Sequence, residues 1–175
     1  GLMNSTWQNY YRAIFRINTI LEKIDPLTVT DIPKKDRYVA EAKFLRALSY
    51  FDLVRIFGDV PMVTVPISID ESYTTPRAPV ANIYNTVIIP DLLAAETALP
   101  AKYTGSDVGR PTSGAAKSIL GKVYLTTKDF QKAESKLQEV VTSNAYALLP
   151  KYTDLFDYSK NEHHLEYIFD IEFEE

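Results

Sequence analysis

Residues 41–61, EAKFLRALSYFDLVRIFGDVP, decide the fold of this chain. The apolar residues recur every three or four positions, as on one face of an α-helix: Phe44, Ala47, Leu48, Phe51 and Val54. Gly58 tolerates a left-handed backbone just past the helix, and Pro61 prevents the helix from resuming. The stretch therefore predicts a core-facing helix over about residues 36–57 that ends abruptly.

Composition limits the classes of protein that the chain can be. With 175 residues, 46% of them hydrophobic, it can bury a sizeable core and suits one compact domain, residues 1–175. Its net charge of -4 gives no basic field to attract phosphates, so we expect no nucleic-acid partner. Because it contains no cysteine, it has no disulfide framework and no thiolate chemistry. It begins without a signal-peptide pattern and ends inside a strand-like alternation, so we interpret it as a piece of a longer protein.

A second helix is predicted before this stretch, over about residues 6–24. Ser5 and Gln8 fit a capping box at its start. Its apolar face is continuous: Trp7, Tyr10, Ile14, Ile17, Leu21 and Ile24. We expect the two helices to pack against each other in antiparallel directions, joined by a polar, Pro-containing connection at residues 25–35.

Three further helices are predicted after it, over about residues 80–98, 112–127 and 129–143. Pro90 should kink or split the first of them, and Thr112 should cap the second. The last two fit the tetratricopeptide pattern of small and large residues, at Lys117, Leu120, Gly121, Tyr124, Ala133 and Leu137. The predicted fold is mainly all-α, with irregular tetratricopeptide-like stacked helix pairs and a short C-terminal strand within residues 166–175.

Catalytic and metal-binding patterns have little support. His163 and His164 are flanked by acids, but adjacent histidines point to opposite sides of a strand and the spacing of a helical zinc motif is absent. The chain has neither a nucleophile elbow nor a phosphate-binding Gly-rich loop. We therefore expect no enzyme activity, no catalytic residue, no metal site and no cofactor.

Aromatic residues are the more promising candidates for binding, since the chain has 12 Tyr, 8 Phe and 1 Trp. A sugar ring can lie on an aromatic face while polar neighbours bind its hydroxyl groups. Helical spacing makes core packing the favoured interpretation for most of these rings. Tyr73 and Tyr103 lie in polar loops, and Trp7 stands near a helix end, so these three are the predicted ligand-binding residues.

Several strings in one order resemble the SusD/RagB family of outer-membrane glycan-binding lipoproteins. Besides residues 41–61, they are WQNYYRAIFRINTIL at 7–21, RAP at 77–79, DLLAAE at 91–96, GRPTSGAAK at 109–117, YTDLFD at 152–157 and EYIFD at 166–170. The resemblance implies a helical scaffold that binds an oligosaccharide and delivers it to a SusC-like TonB-dependent transporter. It also implies a surface-exposed lipoprotein of the outer membrane of Bacteroidetes-type bacteria, held by a lipid anchor upstream of this chain.

One interpretation from another class stays open. A tetratricopeptide-type module holds a partner protein's peptide on its helical face and needs no sugar site. A polar, asparagine-lined groove without an exposed aromatic cluster would favour that alternative.

Overall fold

A computed structural model describes residues 1–24, 31–157 and 164–171. The helices and strands are α1 Leu2–Ile24, α2 Ile32–Phe57, β1 Val60–Pro61, α3 Ile69–Thr74, β2 Arg77–Ala78, α4 Val80–Ile83, α5 Ile89–Ala98, α6 Ser113–Thr126 and α7 Phe130–Thr142. The predicted, mainly all-α fold is confirmed. Within the described ranges no helix is long and apolar enough to cross a membrane.

Contacts divide the chain into two compact units, Gly1–Ala98 and Leu99–Glu175. The first unit contains α1 to α5 and the two short strands, and the second contains α6 and α7. Each unit has its own packed helices. The interpretation of residues 1–175 as one domain stays a prediction.

Helices α1 and α2 pack in antiparallel directions, as the sequence predicts. Trp7 near the start of α1 meets Phe57 at the end of α2, with ring centroids 5.1 Å apart. Further along α1, the Asn18 Oδ1 accepts a hydrogen bond of 3.0 Å from Arg46 of α2. On α2 the predicted apolar face is buried at Phe44, Ala47, Phe51 and Val54. The helix ends at Gly58, whose φ is 70° and whose N–H donates to the Val54 carbonyl.

Both helices begin earlier than predicted. Ser5 does not cap α1, because the helix already begins at Leu2 and the Ser5 hydroxyl donates back to the Leu2 carbonyl. The start of α2 is Ile32 rather than residue 36, since the Asp31 carboxylate accepts the backbone N–H of Lys34 and a proline occupies the first turn. The connection at residues 25–30 lies outside the described residues.

The effect of Pro90 is a widened helical turn. Residues Tyr84–Ile88 form a π-helical turn between α4 and α5, with the Ile89 N–H bonded to the Tyr84 carbonyl five residues back. Proline has no N–H to donate and its ring clashes with the carbonyl four residues earlier, which a regular helix could not accommodate. Pro90 is exposed, so the interruption faces solvent. The helix that the sequence predicts over residues 80–98 is split in this way.

Helices α6 and α7 form the predicted tetratricopeptide-like pair. The Thr112 hydroxyl caps α6 by accepting the Ala115 N–H at 3.1 Å. A Cβ placed on Gly121 would lie 2.6 Å from a methyl group of Leu137, so a larger residue here would require the Leu137 side chain to move. The Lys117 ammonium lies 2.8 Å from the Glu139 carboxylate across the pair. The order of these contacts makes the two helices antiparallel.

The predicted C-terminal strand is not formed in the part of it that the structure describes. Residues 166–171 have turns and irregular backbone, and residues 172–175 lie outside the described residues. The Glu166 carboxylate, rather than a backbone ladder, accepts the Leu149 N–H at 2.7 Å. Alternating apolar and acidic residues produce a strand only beside a neighbouring strand, and the described pairing is elsewhere, between β1 and β2. Earlier in the second unit, residues Tyr152–Phe156 form a 3₁₀ segment.

Candidate functional site

A cleft of about 540 Å³ lies in the first unit beside the N-terminal half of α1. We call it the aromatic cleft; its lining is Trp7, Gln8, Tyr11, Arg12, Phe15, Arg16, Pro61, Val63, Ile67, Ser72, Tyr73 and Thr75. Trp7, Tyr11 and Phe15 are spaced by four residues and therefore lie on one side of the helix. This side presents three aromatic rings in a row.

The opposite wall is supplied by α3 and the segment that precedes it. The sequence predicts a polar loop around Tyr73, but residues Ile69–Thr74 form a short helix. Ser68 and Glu71 form a capping box in which each side chain bonds to the other residue's backbone N–H, at 3.2 and 2.7 Å. This helix carries Tyr73, which is 83% exposed, to the edge of the cleft.

The segment at residues 62–67 is held in place by side chains of α1 and α2. The Asn18 amide donates to the carbonyls of Val63 and Val65, at 3.0 and 3.3 Å. The Tyr50 hydroxyl both donates to the Val63 carbonyl, at 2.9 Å, and accepts the Val63 N–H, at 2.7 Å. Burial raises the pKa of Tyr50 to about 12, so this hydroxyl keeps its proton at neutral pH. The wall is thus fixed by hydrogen bonds to the core.

The rings of the aromatic cleft differ in exposure. Trp7 is half-buried, with its ring centroid 4.9 Å from that of Tyr11 and 5.3 Å from the guanidinium carbon of Arg77. Tyr11 is anchored by its hydroxyl, which donates to the Pro61 carbonyl at 2.7 Å, and its pKa is raised by burial. Phe15 is 50% exposed. The cleft therefore combines fixed rings with rings that a ligand can cover.

Of the three predicted binding residues, the structure brings Trp7 and Tyr73 together at this cleft. Tyr103 is in the other unit, and it is only 8% exposed rather than displayed in a polar loop. It borders a second cleft of about 830 Å³, which is formed by residues 101–112, 144–146 and 164–170. In that cleft the hydroxyl groups of Thr112 and Tyr146 lie 2.8 Å apart. Trp7 and Tyr73 therefore line one cleft, and Tyr103 lines another.

The histidine pair lies only partly within the described residues. His163 is outside them, whereas His164 stacks on Tyr167 with ring centroids 4.0 Å apart. The Nδ1 of His164 accepts the Glu166 N–H at 3.2 Å. Among the residues that the structure describes, no group of three His, Cys, Asp or Glu side chains is placed to hold a metal ion.

Sequence reasoning missed Phe15 and the two arginines of the aromatic cleft. It followed only the stripe of α1 that faces the core, where Ile14 and Ile17 are 1% and 6% exposed. A second stripe runs beside it at steps of four, through Trp7, Tyr11 and Phe15. An aromatic stripe next to a buried one was the available signal.

Residues 2–125 match the model of a family described as SusD-like, starch-binding and associating with the outer membrane. The chain belongs to this SusD-like family. The sequence resemblance to SusD-like proteins is thereby confirmed. The description of the family names the outer membrane. Its relatives come from Formosa agariphila and Bacteroides ovatus, which agrees with an occurrence in Bacteroidetes-type bacteria.

Curated and solved SusD-like proteins resemble the chain over most of its length. SusD-like protein P25 of Formosa agariphila is 30% identical over 171 residues, which are 98% of this chain and 32% of that protein. A SusD superfamily protein of Parabacteroides distasonis is 39% identical with a TM-score of 0.80, covering 87% of this chain and 34% of that one. A laminarin-binding SusD-like protein is 36% identical with a TM-score of 0.83, covering 90% and 35%. The chain thus spans about a third of the length of these SusD-like relatives.

Proposed function

We propose that this SusD-like chain belongs to a non-catalytic protein that captures an oligosaccharide at the outer-membrane surface, through Trp7 and Tyr73 of the aromatic cleft. The observation that carries the proposal is this cleft, in which exposed rings stand beside polar side chains. A SusD-like neighbour that is itself laminarin-binding supports the same class of ligand. The captured glycan is then delivered to a SusC-like TonB-dependent transporter, and a lipid anchor upstream of this chain holds the protein at the surface.

Tyr103 has a separate part in this proposal. It contributes to ligand binding from the second cleft. Because so little of its side chain is exposed, only one edge of its ring contacts a sugar. Its contribution is therefore smaller than that of Tyr73. The aromatic cleft remains the principal site.

The alternative is a tetratricopeptide-type interaction module without a sugar site, for which the α6–α7 pair is the supporting observation. Such a module needs a polar groove lined by asparagine amides. The lining of the aromatic cleft carries one side-chain amide, that of Gln8, beside four aromatic rings. This composition favours a glycan over a peptide.

Isothermal titration of the protein at its full natural length against a panel of neutral and charged glycans tests the proposal. Replacing Tyr73 by Ala should weaken binding about 2- to 10-fold, as expected for the loss of one stacked ring. Tyr152→Ala is the matched control, because Tyr152 is also largely exposed, 74%, but lies outside both clefts. The proposal is wrong if no glycan binds, or if the two variants bind equally well.

A further inference from the structure

The charged residues that line the aromatic cleft are both arginines. Arg12 and Arg16 are exposed, stand four residues apart on α1 and so point to the same side of the helix. Within the described part of the chain, neither guanidinium has an ion-pair or hydrogen-bond partner. The chain as a whole carries a net charge of -4, so the positive charge of the cleft is not a general property of the chain.

Arg77 adds to this local positive charge, and the carboxylate of Glu71 opposes it. The guanidinium of Arg77 lies over the Trp7 ring while it donates to the Asp59 carbonyl. The carboxylate of Glu71 on α3 is occupied by the backbone and hydroxyl of Ser68, at 2.7 and 2.8 Å. The acid closest in sequence to Tyr73 therefore points into its own helix cap.

Guanidinium groups beside aromatic rings suit a sugar that carries a negatively charged group. A guanidinium presents donors in a planar fork that matches a carboxylate or a sulfate group, whereas a neutral hydroxyl group uses only one donor. The rings bind the apolar face of the sugar, and two arginines about 6 Å apart along the helix axis can meet two charged groups on one oligosaccharide.

We infer that the aromatic cleft takes an anionic oligosaccharide, one whose sugars carry carboxylate or sulfate groups that bind Arg12 and Arg16. The inference rests on the proposed function and narrows its substrate class. Because both arginines are exposed, the attraction is screened by salt and weakens as ionic strength rises.

Two matched pairs of probes test the inference on the full-length protein. One pair is oligogalacturonate and its methyl ester, and the other is a sulfated galactan oligosaccharide and its desulfated form, so the two arms separate carboxylate from sulfate. At low salt we expect at least one anionic probe to bind about 5- to 10-fold more tightly than its neutral partner. This preference should shrink in high salt.

The double variant Arg12→Gln/Arg16→Gln should lose the preference and keep its binding to the neutral probe. Lys23→Gln is the control for a lost charge elsewhere on the helix, since it removes one positive charge, against two in the double variant, from an exposed position of α1 outside the cleft. Circular dichroism should show all variants folded, because none of these side chains is in the core.

The outcomes separate this inference from the proposed function. Equal binding of neutral and anionic probes overturns the inference and leaves glycan binding in place. A preference that survives in the arginine double variant overturns the assignment to this cleft. If none of the four probes binds, the inference is wrong, whereas the proposed function fails only if the wider panel of glycans does not bind either.

Discussion

Replacing Arg46 by Met should destabilise the first unit more than any surface change on α2. The Arg46 Nε and Nη2 donate to the two carboxylate oxygens of Asp91, at 2.7 and 3.0 Å. Its Nη1 donates to the Asn18 Oδ1, at 3.0 Å, and to the Thr64 carbonyl, at 3.1 Å. One guanidinium therefore joins α1, α2, α5 and the wall of the aromatic cleft.

The magnitude follows from what the substitution leaves behind. Asp91 is 5% exposed, so its carboxylate would stay buried without its partner. Breaking a buried pair in this way costs about 3 to 5 kcal/mol. Since whole domains are stable by about 5 to 15 kcal/mol, the loss is a large share of the total. Two further acceptors, on Asn18 and Thr64, would each lose a donor.

Urea unfolding followed by tryptophan fluorescence measures this loss, because the only tryptophan of the chain, Trp7, lies in the first unit. Arg55→Met is the control, since Arg55 is on the same helix but exposed, and it should cost less than about 1 kcal/mol. The double variant Arg46→Met/Asp91→Leu should recover most of the stability, because no charge stays unpaired. The reasoning is refuted if Arg46→Met costs no more than Arg55→Met, or if the double variant is as unstable as the sum of the two single ones.

Two further predictions concern the second unit. Gly121→Ala should destabilise this unit by about 1 to 3 kcal/mol, because the added methyl group would overlap Leu137. Adding Leu137→Ala should relieve the overlap and restore stability. An unchanged melting temperature for Gly121→Ala would contradict this packing. A hydrogen bond from Lys117 holds the pKa of Glu139 below its usual value of 4.5. The carboxylate thus adds stability, under about 1 kcal/mol, above that pH, and loses it as the pH falls through the lowered pKa. The melting temperatures of Glu139→Gln and of the unchanged protein should become equal as the pH is lowered. A difference in melting temperature that does not change with pH would refute the stabilisation by the Glu139 carboxylate.

Features that depend on neighbouring residues could be predicted from the sequence. Thr112 was identified as a cap because its hydroxyl needs only the backbone N–H three residues ahead. Gly58 was identified as a helix end for an equally local reason. The helix faces followed from periodicity, and the antiparallel pairs followed from short connections. These parts of the fold depend on residues that are close together in the sequence.

Competing local signals produced the errors. Ser5 with Gln8 has the composition of a capping box, yet the helix begins at Leu2 and the true capping box is at Ser68 and Glu71. A capping box forms only where a helix begins, and α1 starts one turn before Ser5, with exposed residues. The predicted terminal strand is not formed in residues 166–171, its described part, because alternation alone does not supply a partner strand.

The candidate site was predictable only in part, because it depends on contacts between distant residues. Tyr73 is exposed as expected, since its helix packs few apolar side chains. Tyr103 is buried by loops whose path the sequence does not determine. The bond between Arg46 and Asp91 joins residues 45 positions apart, and nothing in either neighbourhood indicates the other.

The π-helical turn at Tyr84–Ile88 makes this part of the chain tolerant of a change in length. A π turn is equivalent to one extra residue inserted into an α-helix. Deleting one residue of the turn, together with Pro90→Ala, would leave a regular helix in which Leu92 and Ala95 still face the core. The same deletion in the middle of α6 would rotate every later side chain by about 100°. Within the first unit, a relative without Pro90 can therefore be one residue shorter at this turn without repacking α5.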